Sequence, residues 1–188
     1  MKESDRSLPI LIVVTGRPAA GKTTLANILA SEIRCPKISR DEIKEGLVNT
    51  IKNVEQIEDG VKWQVYEAFF SVIEILLSNR ITLIAEAAFQ HKLWQPKLKL
   101  LKEIAQIKIV HCSIDPKLAR LRFVRRGLFD PQRAYFHGEK AMQTAKEAIE
   151  LPASEYNPPM MNVPTIEVDT SEGYEPKISE IVSFIDRS

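Results

Sequence analysis

The octapeptide GRPAAGKT, Gly16 to Thr23, places a lysine and a threonine directly behind a loop of glycines and small residues, the pattern GxxxxGK[ST]. A loop of this kind suits an anion. Backbone N–H groups converging at a helix start offer about half a positive charge, far less than the charge on a nucleoside triphosphate, so a further cation is needed. Lys22 supplies it, and the Thr23 hydroxyl can ligate a Mg²⁺ that bridges the outer phosphates. Gly16 and Gly21 permit backbone conformations closed to other residues, while Ala19 and Ala20 are small enough to leave the cradle open. The expected ATP-binding residues are therefore Gly16, Arg17, Pro18, Ala19, Ala20, Gly21, Lys22, Thr23 and Thr24, with Mg²⁺ as cofactor. A glycine-rich turn with a chance Lys-Thr pair is the plainer alternative. It is disfavoured by context, because the run ILIVVT leads into Gly16 and a helical pattern starts at Lys22.

A second set of chemically capable residues lies in SRDEIK, Ser39 to Lys44. Asp41 falls at the carboxyl end of a short strand, which is where open α/β sheets bind ligands. An aspartate of ordinary pKa, about 3.9, does not fully deprotonate an alcohol in the ground state. It can orient a hydroxyl and take its proton late, as the bond to phosphorus forms. Asp41 also suits a helix cap, and Arg40 and Lys44 suit solvated charges; position alone leaves both readings open.

The densest basic stretch holds Lys117, Arg120, Arg122, Arg125 and Arg126, with Arg133 beyond it. On a helix, Leu118, Leu121, Val124 and Leu128 would face the core and leave Arg122 and Arg126 four apart on another face. There they could stabilise the charge spread over a transferring phosphoryl group, unless they only solvate the helix. His91, His111 and His137 lack zinc-like spacing; His111 reads as a strand residue, and His137 as a weak candidate for substrate contact.

These residues need a sheet to hold them. Short apolar runs predict strands at Ile10 to Thr15, around Lys37 to Ser39, and at Ile81 to Ala85, Ile107 to Ile114 and Thr165 to Val168, each followed by a helical stretch. Helices are expected from about Lys22 to Ile33, from Asp41 onward, and from about Gln56 to Asn79. Leu25, Ile28, Leu29 and Ile33 form the inner face of the first, and Val61, Val65, Ala68, Phe69, Val72, Ile75 and Leu76 that of the longest. The stretch from Gly127 to Pro159, with DPQR, FHGE and YNPP around a helical piece near Glu139 to Ile149, reads as a lid or insertion in a single domain spanning 1–188.

A chain of 188 residues suits one domain, and 26 Lys and Arg against 25 Asp and Glu lack the basic excess of a non-specific nucleic-acid binder. Cys35 and Cys112 are far apart and form no CxxC, so they read as reduced, buried thiols. MKESDRS and the short LPILIVV run do not resemble a signal peptide. Glu74 interrupts the most apolar stretch, FFSVIEILL, so no membrane span is expected and the cytoplasm is the expected location.

Taken together, GRPAAGKTTLA, SRDEIK, the strand-end acid of ITLIAEAAF, IDPKLARLRFVRRG and VDTSEGYEP resemble the zeta-toxin, chloramphenicol-phosphotransferase and polynucleotide-kinase-like group of P-loop kinases, often labelled AAA-type ATP-binding proteins. The resemblance implies a three-layer α/β sandwich, with a five-stranded parallel sheet of order 2-3-1-4-5 flanked by helices and a helical lid. It also implies that Asp41 is the substrate-hydroxyl base and that Glu86 stands near Mg²⁺ or the substrate. Arg122 and Arg126 would reach the phosphates and pack over the adenine, and Asp169 and Thr170 would line the base pocket. Relatives acting on polynucleotide ends often carry Arg where this chain has Lys44, and Lys gives no bidentate phosphate clamp. Residues Leu128 to Met161 match no substrate-specific version.

The expectation is an ATP-dependent phosphotransferase acting on a hydroxyl of a small molecule. Lys22, Asp41, Arg122 and Arg126 are its catalytic candidates, Arg40, Lys44, Glu86 and Arg133 contact the substrate, and Thr23 and Glu86 hold the metal. A nucleotide-dependent regulatory ATPase, a 5′-hydroxyl polynucleotide kinase and a nucleoside-monophosphate kinase are the alternatives.

Overall fold

The computed structural model describes residues 7–50, 59–129, 136 and 155–187. Five strands, β1 (Ile10–Gly16), β2 (Lys37–Ser39), β3 (Leu83–Glu86), β4 (Gln106–Ser113) and β5 (Thr165–Asp169), form one parallel sheet in the order β2-β3-β1-β4-β5. The described helices are α1 (Lys22–Ile33), α2 (Arg40–Thr50), α3 (Asp59–Ser78), α4 (His91–Leu101), α5 (Pro116–Phe129) and α6 (Ile178–Asp186). Among the described residues no helix is long and apolar enough to cross a membrane.

Parallel strands need crossover connections, and the crossovers cover both faces of the sheet. Alternate strand residues therefore enter different cores. Leu11, Val13, Leu83, Ala85, Ile107 and Ile109 pack with α3 and α4, while Ile12, Val14, Ile84, Val110, Cys112 and Val168 pack with α1, α5 and α6. The first core is aromatic: Tyr66, Phe69, Phe70, Phe89 and Trp94 meet with ring centroids 4.9 to 6.1 Å apart, mostly edge to face. In the second, the buried Lys108 of β4 donates to the carbonyls of Phe184, Ile185 and Arg187, which neutralises the carboxyl end of α6.

Several expectations shift. The inner face of α3 is Val65, Tyr66, Phe69, Phe70, Ile73 and Leu77, whereas Val72 and Ile75 are exposed. The second half of this helix is apolar nearly all round, so residue type alone leaves its rotation open, and the aromatic anchors fix it. On α5 only Ala119 and Val124 are buried; Leu121 lies on the exposed side of the helix, and Leu128 falls in residues 125–129, which run out past the core. Asp41 lies inside the first turn of α2 instead of capping it. The expected lid at 127–159, with Arg133, His137 and the helix near Glu139 to Ile149, falls outside the described residues apart from 127–129, 136 and 155–159.

Candidate active site

The loop after β1 lies at the carboxyl ends of the strands, and its backbone dictates its residues. Gly16 has φ 153°, and a Cβ there would stand 2.5 Å from the carbonyl oxygen of Cys112. Only glycine meets both conditions. Ala19 and Gly21 follow in the left-handed region at φ 62° and 75°, turning the chain into α1. The Lys22 ammonium is buried and donates to the carbonyl of Arg17 at 2.9 Å, closing the loop on itself. Burial lowers the Lys22 pKa against the opposing pull of Glu86, Cys112 and Asp41, with Arg126 lowering it further. A buried ammonium of this kind gains from an added anion.

Glu86 ends β3 between two neighbouring strands, in register with Ser39 at the end of β2 and with Val14 of β1. Only 3% of it is exposed, and its Oε2 accepts a hydrogen bond from Ser39 Oγ at 2.8 Å. Burial raises its pKa in spite of Lys22 and the Ser39 bond. On α2, Arg40 Nη1 donates to Asp41 Oδ1 at 2.9 Å, which orients that carboxylate, and the buried Arg40 Nε has no hydrogen-bond partner among the described residues.

One cleft of about 250 Å³ collects most of these groups. Pro18, Ala19, Gly21, Lys22, Thr23 and Thr24 form its loop side, and Arg40, Asp41, Lys44 and Glu86 face them. Ala88, Phe123 and Arg126 complete the lining. Arg40, Asp41 and Ala88 also line an adjoining pocket of about 400 Å³, whose remaining walls are Lys62, Trp63, Tyr66, Phe89 and Leu93.

Other expected residues stand outside the cleft. Arg122 donates to the carbonyls of Thr170 at 2.9 Å and Ser171 at 2.6 Å, so it braces the loop after β5. The buried Thr170 hydroxyl sits 2.9 Å from the Ala20 carbonyl and 3.0 Å from that of Ser113, tying the same loop to the phosphate loop. The Ala20 side chain packs into the second core. Asp169 is exposed and accepts the Ser171 backbone N–H at 2.7 Å; hydrogen bonds from Ser171 lower its pKa. Arg17 contributes its carbonyl to Lys22 and is absent from the cleft lining.

Sequence reasoning passed over Ser39, Phe123, Ala88 and the whole aromatic pocket. It also missed a brace under the loop, where Thr15 Oγ1 is 2.6 Å from Tyr156 Oη, accepts from Trp94 Nε1 at 3.1 Å and donates to the Ala87 carbonyl at 3.0 Å. Tyr156 stacks on His111 with ring centroids 5.8 Å apart, and His91 Nδ1 accepts the Met160 N–H at 3.0 Å, so neither histidine faces the cleft lining. The YNPP run was the available signal for Tyr156; nothing local marked its partner.

Among the described residues no three His, Cys, Asp or Glu side chains gather to hold a metal. Mg²⁺ takes one or two carboxylates together with substrate phosphates and waters, so its site does not need an all-protein cage. The Thr23 hydroxyl and the buried Glu86 carboxylate share the cleft and form such a partial donor set.

A parallel sheet of this strand order flanked by helices, with the glycine loop between β1 and α1, is the P-loop NTPase α/β fold. Residues 11–152 match the AAA domain family, and the chain belongs to it. No curated protein matches the chain. Among solved structures, it is similar to a Chloroflexus aurantiacus protein whose own kinase assignment is provisional, at 23% identity and TM-score 0.72, covering 95% of this chain and 94% of that one. It is also similar to the APS kinase CysC of Mycobacterium tuberculosis, at 11% identity and TM-score 0.64, with 97% and 100% covered. A gluconokinase from Sinorhizobium meliloti follows at 18% identity and TM-score 0.54, with 96% and 91% covered. At these identities the likeness is one of fold.

Proposed function

We propose that this protein transfers the terminal phosphoryl group of ATP to a hydroxyl of a small molecule. The observation that carries the reading is Asp41, which lines both the loop cleft and the pocket beside it. A side-chain acid at the junction of a donor site and an acceptor site is what a two-substrate transfer needs.

The phosphates of ATP lie on the loop N–H groups, and Lys22 adds the full charge that the helix end lacks. Thr23 and Glu86 would hold Mg²⁺, which neutralises charge on the outer phosphates when bound. Asp41, oriented by Arg40, accepts a hydrogen bond from the acceptor hydroxyl and aims its oxygen. As the new oxygen–phosphorus bond forms, the hydroxyl proton passes to Asp41. The bond from the γ-phosphorus to its bridging oxygen breaks, and its electron pair leaves with ADP. Arg126 stabilises the charge spread over the phosphoryl oxygens, while Arg122 and Thr170 hold the loop after β5 against the phosphate loop and Asp169 flanks the adenine side. Lys44 and Arg40 bias the acceptor side toward electron-rich groups. A small acceptor fits a pocket of about 400 Å³ and the near-neutral net charge of +1 better than a polynucleotide.

The test is transfer of label from γ-labelled ATP into an acid-stable organic phosphate, with Lys22→Ala as control. Acceptor-dependent labelling that the variant loses supports the reading. Slow hydrolysis indifferent to every acceptor supports a regulatory ATPase instead.

A further inference from the structure

The pocket beside Asp41 differs in chemistry from the cleft it joins. Its walls are mainly Trp63, Tyr66, Phe89 and Leu93, and only Arg40, Asp41 and Lys62 bring charge. Trp63 is 58% exposed, yet its indole stacks on Tyr66 at 4.8 Å with an interplanar angle of 20°. Tyr66 is buried and fixed from behind, donating its hydroxyl to the Leu93 carbonyl at 2.8 Å and meeting Phe89 edge to face at 5.4 Å. The outer ring therefore rests on a rigid base and keeps a bare face. Such a face costs a ligand little ordering entropy and binds planar π-systems best.

Volume and polarity narrow the occupant. About 400 Å³ lies toward the lower end of the roughly 300–1,000 Å³ range of small-molecule sites. A sugar or polyol brings several hydroxyls, and these walls offer few polar partners to replace the water such groups lose on contact. A ring leaves no such debt. Arg40, which lines the pocket, can donate to a single acceptor atom on the ligand.

We propose that the acceptor is an alcohol carried on a planar aromatic body, its ring against Trp63 and its hydroxyl at Asp41. This rests on the phosphotransfer reading above, and it divides acceptors that the fold likenesses leave together.

Tyrosol and adenosine, tested against gluconate and glycerol, probe the proposal in two independent ways. Without nucleotide, either aromatic alcohol should change tryptophan fluorescence saturably, because Trp63 is the exposed one of the two tryptophans and Trp94 is fully buried. With γ-labelled ATP, the aromatic alcohols should be phosphorylated and the polyols should not. Trp63→Leu should raise KM for the aromatic acceptor about tenfold while kcat stays within about threefold, and Trp63→Phe should restore most of the loss. Aromatic binding without any phosphate transfer supports the pocket and sinks the kinase reading. Transfer to gluconate or glycerol that ignores Trp63, or no binding of either aromatic alcohol, overturns the pocket assignment.

Discussion

Ser39 Oγ donates to Glu86 Oε2 at 2.8 Å across the end of the sheet, with both residues buried and in register on neighbouring strands. This bond fixes a carboxylate beside Lys22 in a place where burial disfavours its charge. The folded chain thus binds the Glu86 proton more tightly than the unfolded chain does. Stability from this group falls as pH rises from about 4.5 through the raised folded value, and is lower above it. Glu86→Gln removes that slope and keeps an oxygen for Ser39. In the metal-free protein the thermal midpoint of the variant relative to wild type should rise between pH 4 and 7, while turnover falls. A variant penalty equal at both pH values would contradict the assignment.

Gly16 meets the Cys112 carbonyl so closely that a methyl group has nowhere to go, since the obstacle is backbone. Gly16→Ala should cost about 2–4 kcal/mol from positive φ and overpacking together. In a domain of this size that is a fall in Tm of roughly 4–16 °C by calorimetry. An unchanged Tm would mean that the loop does not hold this conformation.

Arg122 and Arg126 sit four apart on α5 and should separate in their effects. Arg122→Ala removes two hydrogen bonds to carbonyls of the loop after β5, so it should cost about 1–3 kcal/mol of stability and raise KM for ATP. Arg126 is exposed in the cleft wall, so Arg126→Ala should leave stability within about 0.5 kcal/mol and lower kcat by about 10²-fold. Denaturant melts and steady-state kinetics on both variants check the split; equal loss of kcat with no stability change in either would erase it.

Much of this was legible in the sequence because it is local. GRPAAGKT sits between a strand and a helix whose periodicities are unambiguous, the short KIS strand falls at Lys37–Ser39 as expected, and Glu86 ends the strand that ITLIAE announces. The strand order agrees with the resemblance. What escaped is non-local. The phase of α3 is set by Phe89 and Trp94, which come from another part of the chain, and the Thr15 to Tyr156 contact spans 141 positions. Trp63 reads as an ordinary helix aromatic until α3 is placed beside Asp41. Arg122 looked as suited to phosphate as Arg126, and only the path of the chain after β5 supplies the carbonyls that occupy it.

The most direct measurement is the fate of the γ-phosphoryl label with wild type and Asp41→Asn in the presence of an aromatic alcohol. Wild type should deliver the label to the alcohol as a phosphate monoester. Asp41→Asn should lower kcat by about 10²–10⁴-fold, with KM for ATP changed less than about threefold, because the lost group acts on the acceptor proton and not on the phosphates. Label released only as inorganic phosphate whatever the acceptor, or full transfer by Asp41→Asn, would contradict the account.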